Sequence, residues 1–259
     1  MSPAIIWKRT IGSTIGLLLC VGCASDAEKN LEEARFLLDK GEFAQAETKA
    51  RSAVAENPAD TGAQFTLASA LIGVSFLGDG TYLGKLASLQ DAAAGSGFGF
   101  QTIASIAPSA FSGEEYTKLQ EARDILIGIA DSCANEKDCY LQLYMARIFE
   151  IAAVNQIIGG ATADNVCNAD PTQAVSDGIP DGLDTSGLDS AQAQRFQDNL
   201  DNVNSDGVKA GLPSDFSLTD HFFTLSSGLS DAIAVAGSDQ LQGAKDYLNS
   251  QYGVGAVCP

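Results

Sequence analysis

The residues able to do chemistry are few: six cysteines, a single histidine and one short acidic run. The cysteines are Cys20, Cys23, Cys133, Cys139, Cys167 and Cys258. A thiol can take a lipid, pair as a disulfide or hold a metal, but a zinc site needs Cys and His clustered at ligand spacing. These cysteines are scattered along the chain. His221 stands between Asp220 and Phe222, and an imidazole beside a carboxylate has the composition of a general base. Adjacent residues on a helix point in different directions, however, and no motif marks a nucleophile, a phosphate loop, a dinucleotide-binding turn or a zinc-protease helix. The chain therefore reads as a non-enzyme with no catalytic residues. Asp177, Asp181 and Asp184 lie in the run Asp177-Gly178-Ile179-Pro180-Asp181-Gly182-Leu183-Asp184 and offer the hard oxygen donors that calcium prefers. With only Asp170 upstream, the run fits a solvated acidic loop better than a calcium site, and no cofactor is expected.

The N-terminal segment has the parts of an export signal: Lys8 and Arg9, the apolar stretch Ile11 to Leu19, then the small residues Val21 and Gly22. That stretch is too short for a bilayer, which takes a helix of about 20 residues to cross. Cys20-Val21-Gly22-Cys23 resembles a bacterial lipobox. It departs from the pattern in its first position, where Cys20 replaces the usual Leu. Reading Cys20 as the modified residue would put bulky Leu19 where that family needs a small side chain. The resemblance implies cleavage before Cys23, a diacylglyceryl thioether on its sulfur and a lipid-held chain. Ala24 follows, and in such proteins the lack of Asp at that position implies the outer membrane.

Removing residues 1–22 takes Lys8 and Arg9 with it, so the formal charge falls from -18 to -20. A protein this acidic repels nucleic acid, so the partners expected are the membrane, through the N-terminal lipid, and another envelope protein. With Cys20 cleaved away and Cys23 lipidated, four cysteines remain, and an oxidising compartment makes them disulfides. Proximity pairs Cys133 with Cys139 and leaves Cys167 for Cys258, although four cysteines allow three connectivities.

Apolar spacing sets out helices over 28–40, 43–56, about 112–129, 139–158, 189–203, 218–235 and 240–252, with no persistent strand alternation. The 139–158 segment has the broadest apolar surface and should be the central core helix. Within the first pair, Gly41-Glu42-Phe43-Ala44-Gln45-Ala46, then Ala53 and Pro58, resembles the second half of a tetratricopeptide repeat. A shift of about 34 residues from Ala27 reaches Thr61, and the next helix carries Phe65, Leu67, Ala68 and Leu71 in matching places. Asn30, Glu33 and Ala34 depart from the family's preferences, and the pattern dissolves after Leu71. The similarity implies a concave groove lined by Leu31, Arg35, Leu38, Phe65, Ser69 and Ile72. The competing and favoured arrangement has the remaining helices filling that groove, since stacks of fewer than three repeats rarely stand alone.

Two further resemblances concern cations. Asp177-Gly178-Ile179-Pro180-Asp181 is similar to calcium-binding thrombospondin type 3 repeats but lacks their preceding Asp-x-Asp-x-Asp. Asn202-Val203-Asn204-Ser205-Asp206-Gly207 copies the start of an EF-hand loop, yet Pro213 stands where the bidentate Glu belongs.

The expected fold is all-α, with tetratricopeptide-like hairpins packed on a larger helical domain in a right-handed helical array. Its parts are a signal peptide (1–22), a lipidated tether (23–27), the repeat (28–75), a helical core (76–159), an acidic loop (160–188) and C-terminal helices ending in a disulfide-pinned tail (189–259). The expected role is a periplasm-facing, lipid-anchored outer-membrane adaptor. The alternative is a carrier subunit that passes a small apolar molecule or lipid to an envelope transport system.

Overall fold

Ser25 opens the first helix. Its hydroxyl accepts from the Glu28 amide at 3.2 Å, and the Glu28 carboxylate accepts from the Ser25 amide at 2.9 Å, so two of the amides left over at a helix start are satisfied reciprocally. The helix, α1, consequently spans Asp26–Asp39 and begins two residues before the expected Glu28. Residues 25–27, read from sequence as tether, belong to the helix and its cap. Gly41 turns the chain at the far end with φ +73°, a left-handed conformation that costs other residues roughly 1–2 kcal/mol. Its amide reaches Leu38 O and the Glu42 amide reaches Leu37 O, both at 2.9 Å, the paired closure of a Schellman turn. Helix α2 follows over Phe43–Glu56, the bounds expected from the sequence.

The computed structural model describes residues 25–77, 113–159, 190–212, 217–236, 242, 243 and 247. Cys23, Cys167, Cys258 and the acidic positions Asp177, Asp181 and Asp184 lie outside these residues, as does the Cys167–Cys258 pairing. After α2 come α3 (Thr61–Ile72), continued by a π-helical turn over Gly73–Leu77, α4 (Gly113–Ile129), α5 (Glu136–Gly159), α6 (Ser190–Lys209) and α7 (Ser217–Ala236). The class is all-α, and no strand occurs among the described residues. None of the described helices is long and apolar enough to cross a membrane.

Each helix packs on the one before it, and the cross-links give the directions. Asn30 on α1 bonds Glu56 at the end of α2, the Ser75 hydroxyl beyond α3 donates to the Glu115 carbonyl at the start of α4, and Arg195 on α6 meets Glu150 on α5 while Lys209 meets Tyr140. All three pairs are antiparallel. Alternate helices also touch. On one side α1 contacts α3, and α3 runs parallel to α5, with Ser69 beside Gln142 and the Phe76 ring stacked on Phe149 at 4.4 Å. On the other, α2 runs parallel to α4, since Glu47 pairs with Lys118 and, one turn on, Arg51 with Glu121. The first six helices thus form two layers, with α1, α3 and α5 in one and α2, α4 and α6 in the other, and α7 packs on α6.

Small residues permit this closeness. Ala34, Ala46, Ala50 and Ala53 are buried where α1 and α2 meet. Gly73 lies so near Phe43 that a Cβ there would fall 2.2 Å from the ring, so Gly73→Ala must displace either Phe43 or the π turn. Overpacking of this kind costs about 1–3 kcal/mol, and urea unfolding followed by circular dichroism should show a loss in that range. The core is continuous from Ala34 to Leu229 and is centred on α5, where Ile148, Phe149, Ile151, Ala152 and Ala153 are all fully buried. This is the central helix expected from the sequence.

Burial also sets the alkaline limit of the fold. The phenols of Tyr116 and Tyr144 are pushed well above the ordinary tyrosine range, in both cases first by desolvation and at Tyr116 also by the Glu150 carboxylate. Tyr247 is pushed up to about 12 by burial. A phenol whose pKa is higher folded than unfolded contributes stability that is complete below its unfolded pKa of about 10 and is lost as pH climbs towards the folded value. In a Tyr82→Phe, Tyr252→Phe background, phenolate absorbance should therefore stay low through about pH 10 and then rise together with loss of helix. Gradual titration with helix retained would show these rings to be accessible.

Candidate functional site

The six side chains expected to line a groove divide into two groups. Ile72 is buried in the main core, and Ser69 is half-buried, donating its hydroxyl to the Phe65 carbonyl and accepting from Gln142 Nε2, each at 2.8 Å. Helix α5 covers this end. Phe65 is half-buried and packs against the same core. At the other end Arg35 is exposed, while Leu31 and Leu38 are half-buried, with Leu38 resting on the small cluster Leu37, Ala46 and Ala70. Of the six, Ile72 is therefore buried and Arg35 exposed, with Leu31, Leu38, Phe65 and Ser69 between these extremes.

A different opening lies in the other layer. Between α2 and α4, with α3 as its floor, is a cleft of about 500 Å³. Val54, Leu67, Ile125 and Ile129 make it apolar, Ala55 and Gly128 edge it with small residues, and Arg51, Glu121, Asp124 and Gln64 complete the lining. One end is closed by Arg51, whose two terminal nitrogens meet both Glu121 oxygens at 2.7 and 2.6 Å. Lys118 on Glu47 at 3.1 Å braces the same end. Towards the C-terminal ends of α2 and α4 no such bridge occurs among the described residues, and Gly128 has open space where a side chain would stand.

What holds α4 against α5 and α6 is a buried charged network that the sequence reading did not identify. Glu150 is fully buried between Arg123, 3.0 Å away, and Arg195, 3.3 Å away. Arg195 continues to Asp124 at 3.1 Å, and Arg123 and Arg147 both donate to Asn199 Oδ1, at 2.9 and 3.1 Å. Arg147 Nε then meets Asp206 at 2.5 Å. Burial pushes the Asp206 carboxyl upwards, an effect that the Arg147 guanidinium opposes. Three guanidinium groups thus face three carboxylates, which compensates charges whose isolated burial would be prohibitive. A usable signal existed: Arg147 and Glu150 fall within the run Met145 to Val154, which is otherwise apolar, at a spacing that shares one helix face. Asp206, read as part of an incomplete EF-hand start, is instead helical, because residues 202–207 lie inside α6.

Cys133 and Cys139 are joined as a disulfide with their Cα atoms 6.4 Å apart, the pairing expected from proximity. It staples the link between α4 and α5. Next to it the Tyr140 hydroxyl donates to Asp131 and receives Lys209 Nζ at 2.9 Å. The Asp131 hydrogen bond raises the Tyr140 pKa, in part offset by Lys209. His221 is half-buried on α7, and among the described residues no group of three His, Cys, Asp or Glu side chains is arranged to hold a metal ion. No protein-family model, no curated protein and no solved structure matches the chain.

Proposed function

We propose that the chain is a non-enzymatic, lipid-anchored adaptor that faces the periplasm from the outer membrane and holds an envelope protein close to it. The observation that carries this reading is the start of α1. Ser25 is already its cap, so Ala24 alone separates it from Cys23, and covalent geometry limits the Cys23–Ser25 separation to about 7 Å. A helical body fixed so close to a lipidated residue is a short-range scaffold. The antiparallel order of α1, α2 and α3 supports the finer proposal of tetratricopeptide-like stacking, because alternate helices contact each other as paired helices in such stacks do. The absence of a marked nucleophile in the sequence supports a binding role, and the formal charge of -18 disfavours nucleic acid. The carrier alternative is weaker: ligand sites bury most of a small molecule, whereas Ala55 and Gly128 leave the cleft open to solvent.

Metabolic labelling with a tagged fatty acid tests the anchor. Label should enter the wild-type chain and be absent from Cys23→Ser; label retained in the variant would refute it.

A further inference from the structure

We propose that the cleft between α2 and α4 is the docking site for a short apolar and basic segment of a partner protein. This deepens the adaptor reading and rests on it. The cleft lies in the layer opposite the groove suggested by repeat similarity, and its construction is specific. The Arg51–Glu121 and Lys118–Glu47 bridges join the two helices along their middle turns. Beyond them, Ala55 and Gly128 present almost no side chain at the mouth, and Val54, Leu67 and Ile125 offer an apolar floor and walls. A space of about 500 Å³ is within the range of roughly 300–1,000 Å³ that ligand sites occupy, enough for a few apolar side chains.

The electrostatics choose the partner. Because α2 and α4 run parallel, their C-terminal ends reach the same open end of the cleft, each with the partial negative charge of a helix terminus. Neither helix has a basic residue in its last turn. The opposing N-terminus of α3, which would supply positive charge there, is capped by Asp60, whose carboxylate accepts from Gly62 and Ala63 at 2.8 and 3.1 Å. An apolar segment followed by lysine or arginine satisfies both the walls and the open end, whereas an acidic segment meets repulsion.

The test uses the full chain in lipid nanodiscs with two fluorescent peptides, one of leucine and lysine and one with glutamate in place of lysine, each carrying a photocrosslinker. The leucine–lysine peptide should bind saturably by anisotropy and crosslink to the α2 and α4 segments that line the cleft, and the leucine–glutamate peptide should not. Gly128→Leu fills open space on a helix, a change that favours helix formation, so its Tm should be unchanged or higher while peptide affinity falls by roughly tenfold or more. Ala55→Lys, which places a cation at the α2 C-terminus, should weaken binding with the fold intact. Equal binding of both peptides, or binding indifferent to Gly128→Leu, would overturn the proposal. If the peptide fails while the chain still crosslinks an envelope protein elsewhere, the docking site is wrong and the adaptor reading stands. If no envelope protein crosslinks at all, the adaptor reading falls.

Discussion

Glu150→Ala should destabilise the protein by about 3–5 kcal/mol, the cost of breaking a buried ion pair by removing one partner. Arg123 has a side chain only 6% exposed and Arg195 one 27% exposed, and both point at the fully buried Glu150 carboxylate. Removing it leaves Arg123 with Asn199 and Asp124 but without the carboxylate at its Nη1. A chain with the usual 5–15 kcal/mol of stability would lose about a fifth of it or more. Glu121→Gln provides the comparison. It also breaks an arginine pair with short, doubled contacts, but Arg51 and Glu121 are 42% and 38% exposed, and exposed pairs contribute about 0.2–1 kcal/mol. Urea denaturation of both variants measures the contrast. Equal losses would mean that the network is incidental to the packing of α4, α5 and α6.

Cys23→Ser should remove the protein from the outer-membrane fraction. Each buried methylene contributes about 0.8 kcal/mol, and stable anchoring takes two or more chains, which a diacylglyceryl group provides and a serine does not. Among the described residues no helix replaces it, since none is long and apolar enough to cross a bilayer. The outer-membrane share, measured by sucrose-gradient fractionation, should fall by more than about a hundredfold, as expected when the chains that set the partitioning are lost. The variant should keep its helical signal, because Ser25, which caps α1, is unchanged. Unchanged fractionation would place the anchor elsewhere.

Local signals were easy to read and three-dimensional ones were not. The bounds of α2 follow from Gly41 before it and Asn57-Pro58 after it, because punctuation by glycine and proline is a property of adjacent residues. The central position of α5 follows from apolar residues on every side of it. The start of α1 differs from the apolar pattern for a local reason: Ser25 and Glu28 form a capping box, and the acidic Asp26 is favoured in a first turn. The network around Glu150 was missed because its members lie on three helices far apart in sequence, and only the fold shows that Arg123, Arg147 and Arg195 converge. The cleft has no sequence signature either. It exists because two bridges join α2 to α4 along their middle turns while Gly128 supplies no side chain beyond them.

The most direct test of the adaptor account is lysine-directed crosslinking of intact envelopes, read by mass spectrometry. Lys29 is 61% exposed on α1 and Lys49 is 36% exposed on α2, so a crosslinking reagent can reach both. The account predicts reproducible crosslinks from these lysines to the same envelope protein in the wild type, and their loss in Cys23→Ser. Crosslinks confined to the chain itself in wild-type envelopes would contradict it.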